Sequence, residues 1–417
     1  MSWQMINLRR PLEFRYYSRE KNCSGYYSSV AKSAIVQPFN YNAPEQIHLA
    51  YGDRIDQVFV SYVTNSSEYI PECQYGLNAS SLQWHAQGTT ITYKASDMCE
   101  GKANIPGPQT FIDPGYMHTI ILENIRPSTT YFYRVGNDQH GWSSVLSFTN
   151  RPANDANAKV TIVAYGDMGA APVHPGAKST MDRIRAQLMV NNITCVLHMG
   201  DISGECAVPI VHRFHSPSNG NGLFWYSFDV GPVHVVCYST EHDFLPSSPQ
   251  YVWIERDLSS VDRTRTPWII VGSHRHMYSS IVRDVGDPTK AMLQRYLEPV
   301  FYKYHVDINL FGHIHFYERS CPMYQEKCVH DGIVHVLVGM AGHNLDIDTY
   351  TGEKWSLYHD HQFGYTRIST NKIYLRFTYH RTVDDAILDQ FELTKSSAER
   401  TKPFIVLFFL IKIICIQ

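Results

Sequence analysis

Short runs rich in Val, Ile, Thr and Tyr recur between residues 37 and 152, and turn-forming stretches separate them. The clearest runs are QVFVSYVT, TTITYKAS, HTIILENI and TYFYRVG, while RPSTT and GNDQHG are typical turns. No helical periodicity interrupts them. The pattern predicts a small β-sandwich over residues 37–152. Nothing in this region indicates catalysis, so a packing or interaction role is the simplest interpretation.

From residue 158 the pattern changes to strands alternating with helices. The helical stretches are STMDRIRAQLMVN and KAMLQRYLEPVFYKY. Each strand-like stretch runs from apolar into polar residues. These stretches are KVTIVAYGD, TCVLHMGD, VHVVCYSTEHD, PWIIVGSHRH, VDINLFGHIH and GIVHVLVGMAGHN. This predicts an α/β domain over residues 158–397 with partly parallel, buried strands. Functional groups of such sheets gather beyond the carboxyl ends of the strands.

The two ends of the chain fit neither pattern. Residues 1–36 form a segment of unclear status without an apolar run of signal-peptide length. Either the protein is not secreted or its true start is missing. Residues 398–417 form an apolar tail, FIVLFFLIKIICIQ within it, shorter than the roughly 20 residues that a membrane span needs. No firm membrane span is therefore predicted.

Composition and charge narrow the class of protein. The 417 residues are 44% hydrophobic and 18% charged, with a net charge of −3, so a globular protein is expected and nucleic acid is not the default partner. Four glycosylation sequons and nine cysteines favour an oxidising compartment and a glycoprotein. Cysteines 73 and 99, and 321 and 328, lie near loops and could pair, while Cys195 and Cys237 lie in apolar runs typical of buried thiols.

Five potential metal ligands follow strand-like runs in the second region: Asp167, Asp201, His274, His313 and His315. A single histidine there would most often be a core or cap residue. The ordered set GDMG, GD, GSH and GHIH is much harder to obtain by chance. Two metal cations repel each other and need an anionic bridge, which a carboxylate can supply, while imidazoles fill outer positions. The sequence thus predicts a two-metal centre.

This order of motifs resembles the calcineurin-like metallophosphoesterases. The stretches GPQTFIDPGYMHTIILENIRPSTTYFYRVG, LFWYSFDVGPVHVVCYSTEHD, GSHRHMY and GHIHFYER resemble the plant-type, high-molecular-weight purple acid phosphatases, and the resemblance covers roughly residues 37–393. It implies a fibronectin-III-like β-sandwich followed by a metallophosphoesterase αββα sandwich. It also implies secreted or vacuolar location, phosphate monoester substrates hydrolysed by a metal-bound hydroxide, and compatibility with a homodimer.

The resemblance further implies Fe(III) paired with Zn, Mn or Fe(II). Carried over by motif, Asp167 and His315 belong to the ferric site, His274 and His313 to the divalent site, and Asp201 bridges. Asp201, His274 and His313 are the expected catalytic residues. The family usually has Pro two residues after the His274 position. This chain has His276 there, which is expected outside the metal's immediate ligands.

The chain departs from the family after Asp201. The family's GDxxY motif supplies a Tyr ligand, but Gly204 stands at that position, and no GNH motif occurs anywhere. An internal deletion between residues 203 and 204 is the simplest interpretation. It should remove a buried strand, open the sheet and impair catalysis. The alternatives are a catalytically inactive binding or scaffold homologue, and a phosphodiesterase or pyrophosphatase of the same superfamily.

Overall fold

The computed structural model describes residues 11–19, 27–99, 105, 111–171, 173–190, 192–200 and 207–395. Three predicted features lie outside these residues: Asp201, the junction at 203/204, and the apolar tail at 398–417. The segment 1–36 is described only in part, and it contains a two-stranded antiparallel sheet whose second strand is fully exposed.

Short strands dominate the secondary structure. The helices are α1 (Ala177–Val190), α2 (Val208–Arg213), α3 (Pro249–Ser260), α4 (Pro288–Tyr296) and α5 (Glu298–Lys303). Strands up to residue 149 are β1 (Arg15–Arg19), β2 (Tyr27–Lys32), β3 (Glu45–Tyr51), β4 (Val58–Thr64), β5 (Glu72–Gly76), β6 (Trp84–Ile91), β7 (Tyr116–Leu122), β8 (Thr130–Asn137), β9 (Gly141–Trp142) and β10 (Leu146–Thr149). Later strands are β11 (Val160–Gly166), β12 (Cys195–Met199), β13 (Tyr226–Val230), β14 (Val233–Cys237), β15 (Trp268–Ser273), β16 (Ile308–Phe311), β17 (Tyr317–Tyr324), β18 (Lys327–Cys328), β19 (Ile333–Val338), β20 (Ser356–Asp360), β21 (Gly364–Thr370), β22 (Tyr374–Arg381) and β23 (Ile387–Thr394).

The first compact unit contains the described residues up to Ala153 together with 200–228 and 236–239. Its antiparallel strands run in the order β10-β8-β5-β6-β7-β4-β3, with β9 beside β8. Alternating inward residues, among them Val60, Ile120 and Val135 at zero exposure, form its core. The predicted all-β character of this region is observed, because the runs rich in Val, Ile and Tyr place every second side chain on one buried face.

Part of the segment assigned by sequence to the second domain groups with this first unit. Its described part, residues 207–228, contains α2, and Val208 packs against the buried Val63 and Met117. His215 hydrogen-bonds Thr119 Oγ1 through Nε2 at 2.8 Å. These side-chain contacts link positions about a hundred residues apart, which no local pattern reveals.

The second unit, residues 154–199, 229–235 and 240–417 as far as they are described, is α/β. One sheet runs β12-β11-β21-β22-β23, and β11 and β12 are parallel. The other runs β13-β14-β15-β16-β19-β17-β18 with β20 beside β17, and β15, β16 and β19 are parallel. On one side, Ile184 of α1 packs with Val163 and Tyr365 of the first sheet. This is the expected α/β sandwich of two sheets.

The two sheets of the second unit meet through polar and aromatic contacts between β17 and the strands β22 and β23. Tyr317 stacks on Tyr379 with ring centroids 4.1 Å apart. Arg319 donates two hydrogen bonds to Asp389, from Nε at 2.6 Å and from Nη2 at 2.9 Å, and Tyr317 Oη donates to the same carboxylate at 2.9 Å. A buried charge needs such partners, so this group fixes how the sheets align.

The stretch predicted as one helix, KAMLQRYLEPVFYKY, is two. α4 ends at Tyr296, Leu297 lies between them, and α5 starts at Glu298 with Pro299 in its first turn. Proline has no N–H to continue the helical ladder and restricts the residue before it, so the break follows from its position. Asp287 is the N-cap of α4, and its carboxylate accepts a hydrogen bond from the backbone N–H of Lys290.

A buried histidine links two carboxylates elsewhere in this unit. His234 Nδ1 lies 2.6 Å from Asp229 Oδ1, and its Nε2 lies 2.9 Å from Asp257 Oδ2. Since both ring nitrogens face carboxylates, the protonated imidazolium is the form that satisfies them. Asn154 Nδ2 donates to the other oxygen of Asp229.

The cysteine predictions meet different outcomes. Cys321 and Cys328 form a disulfide, as their spacing allowed. Cys73 does not pair with Cys99: it is a buried thiol at the centre of the sandwich, and burial raises the pKa of its sulfur to about 12. Cys99 is itself disulfide-bonded. Cys195 and Cys237 lie in strands as expected but are only half-buried.

β12 is an edge strand of the first sheet, and it ends at Met199, just before the sequence departs from the family pattern. Among the described residues β12 pairs on one side only, with β11, and Val196 in it is 39% exposed. An apolar strand of a parallel sheet is normally covered on both sides. None of the helices within the described ranges is long and apolar enough to cross a membrane.

Candidate metal centre

The carboxyl ends of the parallel strands converge on Asp167, which follows β11. Its side chain is 1% exposed, and Oδ2 accepts a 2.9 Å hydrogen bond from the backbone N–H of His313. Glycines make this approach possible. A Cβ on Gly312 would lie 2.3 Å from Asp167 Oδ2, and one on Gly339 would lie 3.0 Å from the same atom. Side chains at those two positions would displace the carboxylate.

Two of the site residues have left-handed backbones. Asp167 has a φ of +55° and His313 a φ of +74°. Such conformations cost about 1–2 kcal/mol for a residue other than glycine. They persist where the surroundings determine them, and they cluster at functional sites. Here the turn after each strand brings the side chain back toward the sheet edge.

Three histidines lie around the carboxylate. His315 Nε2 is 3.6 Å from Asp167 Oδ1, and His274 Nδ1 is 3.9 Å from the same oxygen. His313 Nδ1 is 3.2 Å from His274 Nε2. The structure thus brings together four of the five predicted ligands, while Asp201 lies outside the described residues.

The donor set suits transition-metal ions. Ligand atoms about 2.0–2.1 Å from a shared metal lie roughly 3 to 3.5 Å from one another, and the separations around Asp167 are 3.2–3.9 Å. A carboxylate with imidazoles matches sites for Zn, Fe and Mn. Over the part of the chain that the structure describes, however, no three His, Cys, Asp or Glu side chains are yet arranged to hold one ion.

A second carboxylate orients His315. Asp346 Oδ2 accepts from the His315 backbone N–H at 2.8 Å and also pairs with Arg283. Burial raises the pKa of Asp346, but the His315 N–H and Arg283 outweigh it, so the pKa lies below its ordinary value. Burial lowers the pKa of His315, but Asp167 and Asp346 outweigh burial and raise it.

His276 points away from this group. Its side chain is 2% exposed, and Nε2 lies 2.8 Å from Asp284 Oδ2, which Lys290 Nζ also reaches at 2.8 Å. The ring still lies nearly parallel to that of His313, 5.9 Å away. This position is consistent with the prediction that His276 is not one of the metal's immediate ligands. Glu241, in the loop after β14, forms an ion pair with Arg275, in which Arg275 Nε lies 2.8 Å from Glu241 Oε1.

Sequence reasoning missed the residues that support His315. Asn344 accepts a 2.8 Å hydrogen bond from His315 Nδ1 through its carbonyl. His343 lies 4.5 Å from the His315 ring, and His174 lies 4.1 Å from His343. The stretch GMAGHN contains His343 and Asn344 and could have indicated them as site residues. It has the same pattern as GSH at His274, an apolar strand followed by glycine and histidine. The contact of His174, across a long sequence separation, left no such signal.

A two-sheet α/β sandwich with carboxylate and imidazole groups at its strand ends is the arrangement that the resemblance to metallophosphoesterases implied. Comparisons with known proteins agree. Residues 44–150 match the purple acid phosphatase N-terminal domain, and residues 332–390 match the iron/zinc purple acid phosphatase-like protein C. The chain belongs to the purple acid phosphatase family, a class of phosphoric monoester hydrolases whose members generally bind a binuclear metal centre.

Similar proteins span most of the chain. A protein of Arabidopsis thaliana named "Probable inactive purple acid phosphatase 27" is 28% identical and covers 94% of this chain and 76% of its own length. Human acid phosphatase type 7 is 29% identical over 78% of this chain and 84% of its own. The structure of a yellow lupin purple acid phosphatase superimposes with a TM-score of 0.82 at 25% identity, over 96% of this chain and 82% of that one.

The alignments also contain more positions than this chain has residues. The match to the Arabidopsis protein runs over 474 positions, whereas the chain has 417 residues. The relative therefore carries residues within the aligned span that have no counterpart here.

Proposed function

We propose that this chain is a metal-dependent acid phosphatase that hydrolyses phosphate monoesters at a reduced rate. The observation that carries the proposal is the buried Asp167 carboxylate, with His274, His313 and His315 within 3.9 Å of it or of one another. A buried carboxylate needs compensating charge, and a metal cation shared with the imidazoles would supply it. Structural packing alone gives no reason for such a group at the strand ends.

Asp167 and His315 would hold one metal ion, Fe(III), and His274 and His313 would hold the divalent one, with Asp201 bridging. When bound, the ions provide activated water and neutralise charge on the phosphate. The chain's own residues prepare the ligands. The carbonyl of Asn344 accepts a hydrogen bond from Nδ1–H of His315 and so leaves Nε2 as the atom that would bind metal. The His313 N–H holds Oδ2 of Asp167 and directs Oδ1 toward the histidines.

The reduced rate follows from what is missing after Asp201. Gly204 has no phenol to bind iron, so we expect the iron-loaded protein to lack the purple colour of the family. Without the GNH motif the chain also lacks the histidine that holds phosphate or protonates the leaving group in relatives. Loss of such a proton donor costs on the order of 10²–10⁴ in rate.

A second candidate function is a binding or scaffold role without catalysis. Several similar proteins of Arabidopsis thaliana carry names of probable inactive purple acid phosphatases. The edge at β12 also favours this alternative, since among the described residues no strand pairs with its outer side.

Hydrolysis of p-nitrophenyl phosphate by the purified chain, loaded with iron and zinc, separates the two candidates. The phosphatase proposal requires turnover that His315→Ala abolishes and that a His330→Ala control retains, since His330 is exposed in the turn after β18. If zinc binds but no variant shows turnover above buffer, the scaffold function is correct. Turnover that persists in His315→Ala would mean that another site, or a contaminant, performs the reaction.

We also propose that the protein matures in an oxidising, glycosylating compartment. The Cys321–Cys328 disulfide supports this. Three sequon asparagines, Asn65, Asn78 and Asn192, are exposed. We expect an enzymatic deglycosylation treatment of the secreted protein to lower its mass, and an unchanged mass would contradict the proposal.

A further inference from the structure

A cavity of about 370 Å³ in the second unit is not accounted for by the metal ligands. Its apolar wall consists of Leu345, Phe363 and Val383, and its polar rim includes Ser179, His361 and Arg381. The volume lies within the roughly 300–1,000 Å³ of small-molecule sites. It has room for an aromatic ring or a branched aliphatic group.

The cavity and the metal site share one loop. Leu345 lies between Asn344, whose carbonyl accepts from His315 Nδ1, and Asp346, whose carboxylate accepts from the His315 N–H. Adjacent Cα atoms are about 3.8 Å apart. The loop that supports His315 therefore also forms one wall of the cavity.

The aromatic wall is held firmly in place. A Cβ on Gly176 would lie 2.4 Å from the Phe363 ring, so the absence of a side chain there lets the ring pack against the backbone. Gly176 N–H in turn donates to the carbonyl of Gly342, in the loop that also carries His343 and Leu345. The ring and the metal-site loop thus share one support.

The polar groups at the rim already have partners within the protein. Arg381 donates from Nε and Nη2 to Asp384 and from Nη1 to Gln362. His361 Nε2 lies 2.6 Å from the Tyr350 hydroxyl. Because Asp384 offsets the guanidinium charge, the cavity suits an apolar group better than a second anion.

We propose that this cavity binds the ester group of the substrate and selects phosphate monoesters with aromatic or branched aliphatic groups over those of small polyols. The inference rests on the proposed function, since it requires the phosphate to occupy the site at Asp167. The selectivity comes from removal of apolar surface of the ligand from water against Leu345 and Phe363.

Calorimetric titration of the zinc-loaded chain with phenylphosphonate and methylphosphonate tests the inference without requiring turnover. Both carry the same anionic group, so their affinity ratio reports the cavity alone. We expect phenylphosphonate to bind at least about tenfold more tightly, the scale for a ring entering an apolar pocket. Phe363→Ala should bring the ratio near unity while methylphosphonate affinity changes less than about twofold.

Ile347→Ala is the matched control, because Ile347 is 83% exposed on the same loop and does not line the cavity. It should leave the ratio unchanged. If Phe363→Ala fails to fold, Val383→Ser tests the same wall at a position that is 74% exposed, and it should lower the ratio less strongly.

The outcomes separate this inference from the proposed function. Equal affinities for the two phosphonates overturn the cavity assignment and leave the phosphatase proposal intact. A clear preference for phenylphosphonate in a chain without turnover supports the cavity and refutes catalysis. Binding of neither probe overturns both.

Discussion

Replacement of Gly312 by Ala tests the geometry of the metal site at its tightest point. The new Cβ would lie 2.3 Å from Asp167 Oδ2 and 2.8 Å from the carbonyl oxygen of Met199. Ordinary contacts between such atoms are about 3.5 Å. The carboxylate or the turn must therefore move by about 1 Å, because the Met199 oxygen is backbone and gives little.

The movement has two costs. It breaks the 2.9 Å hydrogen bond from the His313 N–H to the carboxylate, worth about 1.5–3 kcal/mol for a charged acceptor, and overpacking adds about 1–3 kcal/mol. Partial relief by relaxation makes a loss of about 2–4 kcal/mol in the free energy of unfolding the expected total. Since a displaced ligand no longer meets the metal at the right place, zinc affinity should fall by about 10–100-fold.

Two measurements on the metal-stripped protein check this: chemical unfolding and calorimetric titration with zinc. The matched control is Gly272→Ala in β15, whose Cβ would meet the Met199 thioether at 2.6 Å. That side chain can rotate away, so the control should lose less than about 1.5 kcal/mol and keep its zinc affinity. A folded Gly312→Ala protein with wild-type zinc affinity would refute the placement of Asp167.

Three further predictions concern stability. Asp389→Ala leaves the Arg319 charge without its partner between the sheets, so it should cost about 3–5 kcal/mol and lower Tm by roughly 5 °C, and a Tm change below 2 °C would contradict this. Burial lowers the pKa of His234, but its two carboxylate neighbours outweigh burial and raise it from 6.5 to about 9. Its stabilising contribution is therefore complete below about pH 6.5 and is lost as pH rises through 9. The wild type should lose more unfolding free energy between pH 6.5 and 9.5 than His234→Gln does, and parallel profiles would show that the carboxylates do not hold a proton there. The Cys321–Cys328 bridge closes a loop of only 7 residues, so its reduction should cost no more than about 2–3 kcal/mol, and global unfolding by reductant would show a larger role.

Much of the fold was predictable from local patterns. The apolar runs that end in Asp167, His274 and His313 are strands β11, β15 and β16, as expected, because a buried parallel strand must be continuously apolar. The helix break at Leu297 could also have been predicted from Pro299. The amphipathic periodicity continues across it, however, and favoured a single helix.

The candidate site was predictable as a set of ligands but not as a geometry. The motifs located Asp167, His274, His313 and His315, and the strand-end rule placed them on one edge. The support for His315 from Asn344 and Asp346 depends on how the loop after β19 folds back, which no motif encodes.

By itself, the sequence indicated the change from an all-β region to alternating strands and helices, the family, and the candidate metal donors, and it lacks a Tyr at position 204 and a GNH motif, because each is a property of neighbouring residues or of short motifs. Only the tertiary structure decided that Cys73 is a buried thiol, that residues 207–228 group with the sandwich, and that a cavity adjoins the metal-site loop. These features arise from contacts between residues far apart in the chain. Packing and hydrogen bonding select such contacts only once the whole fold is formed.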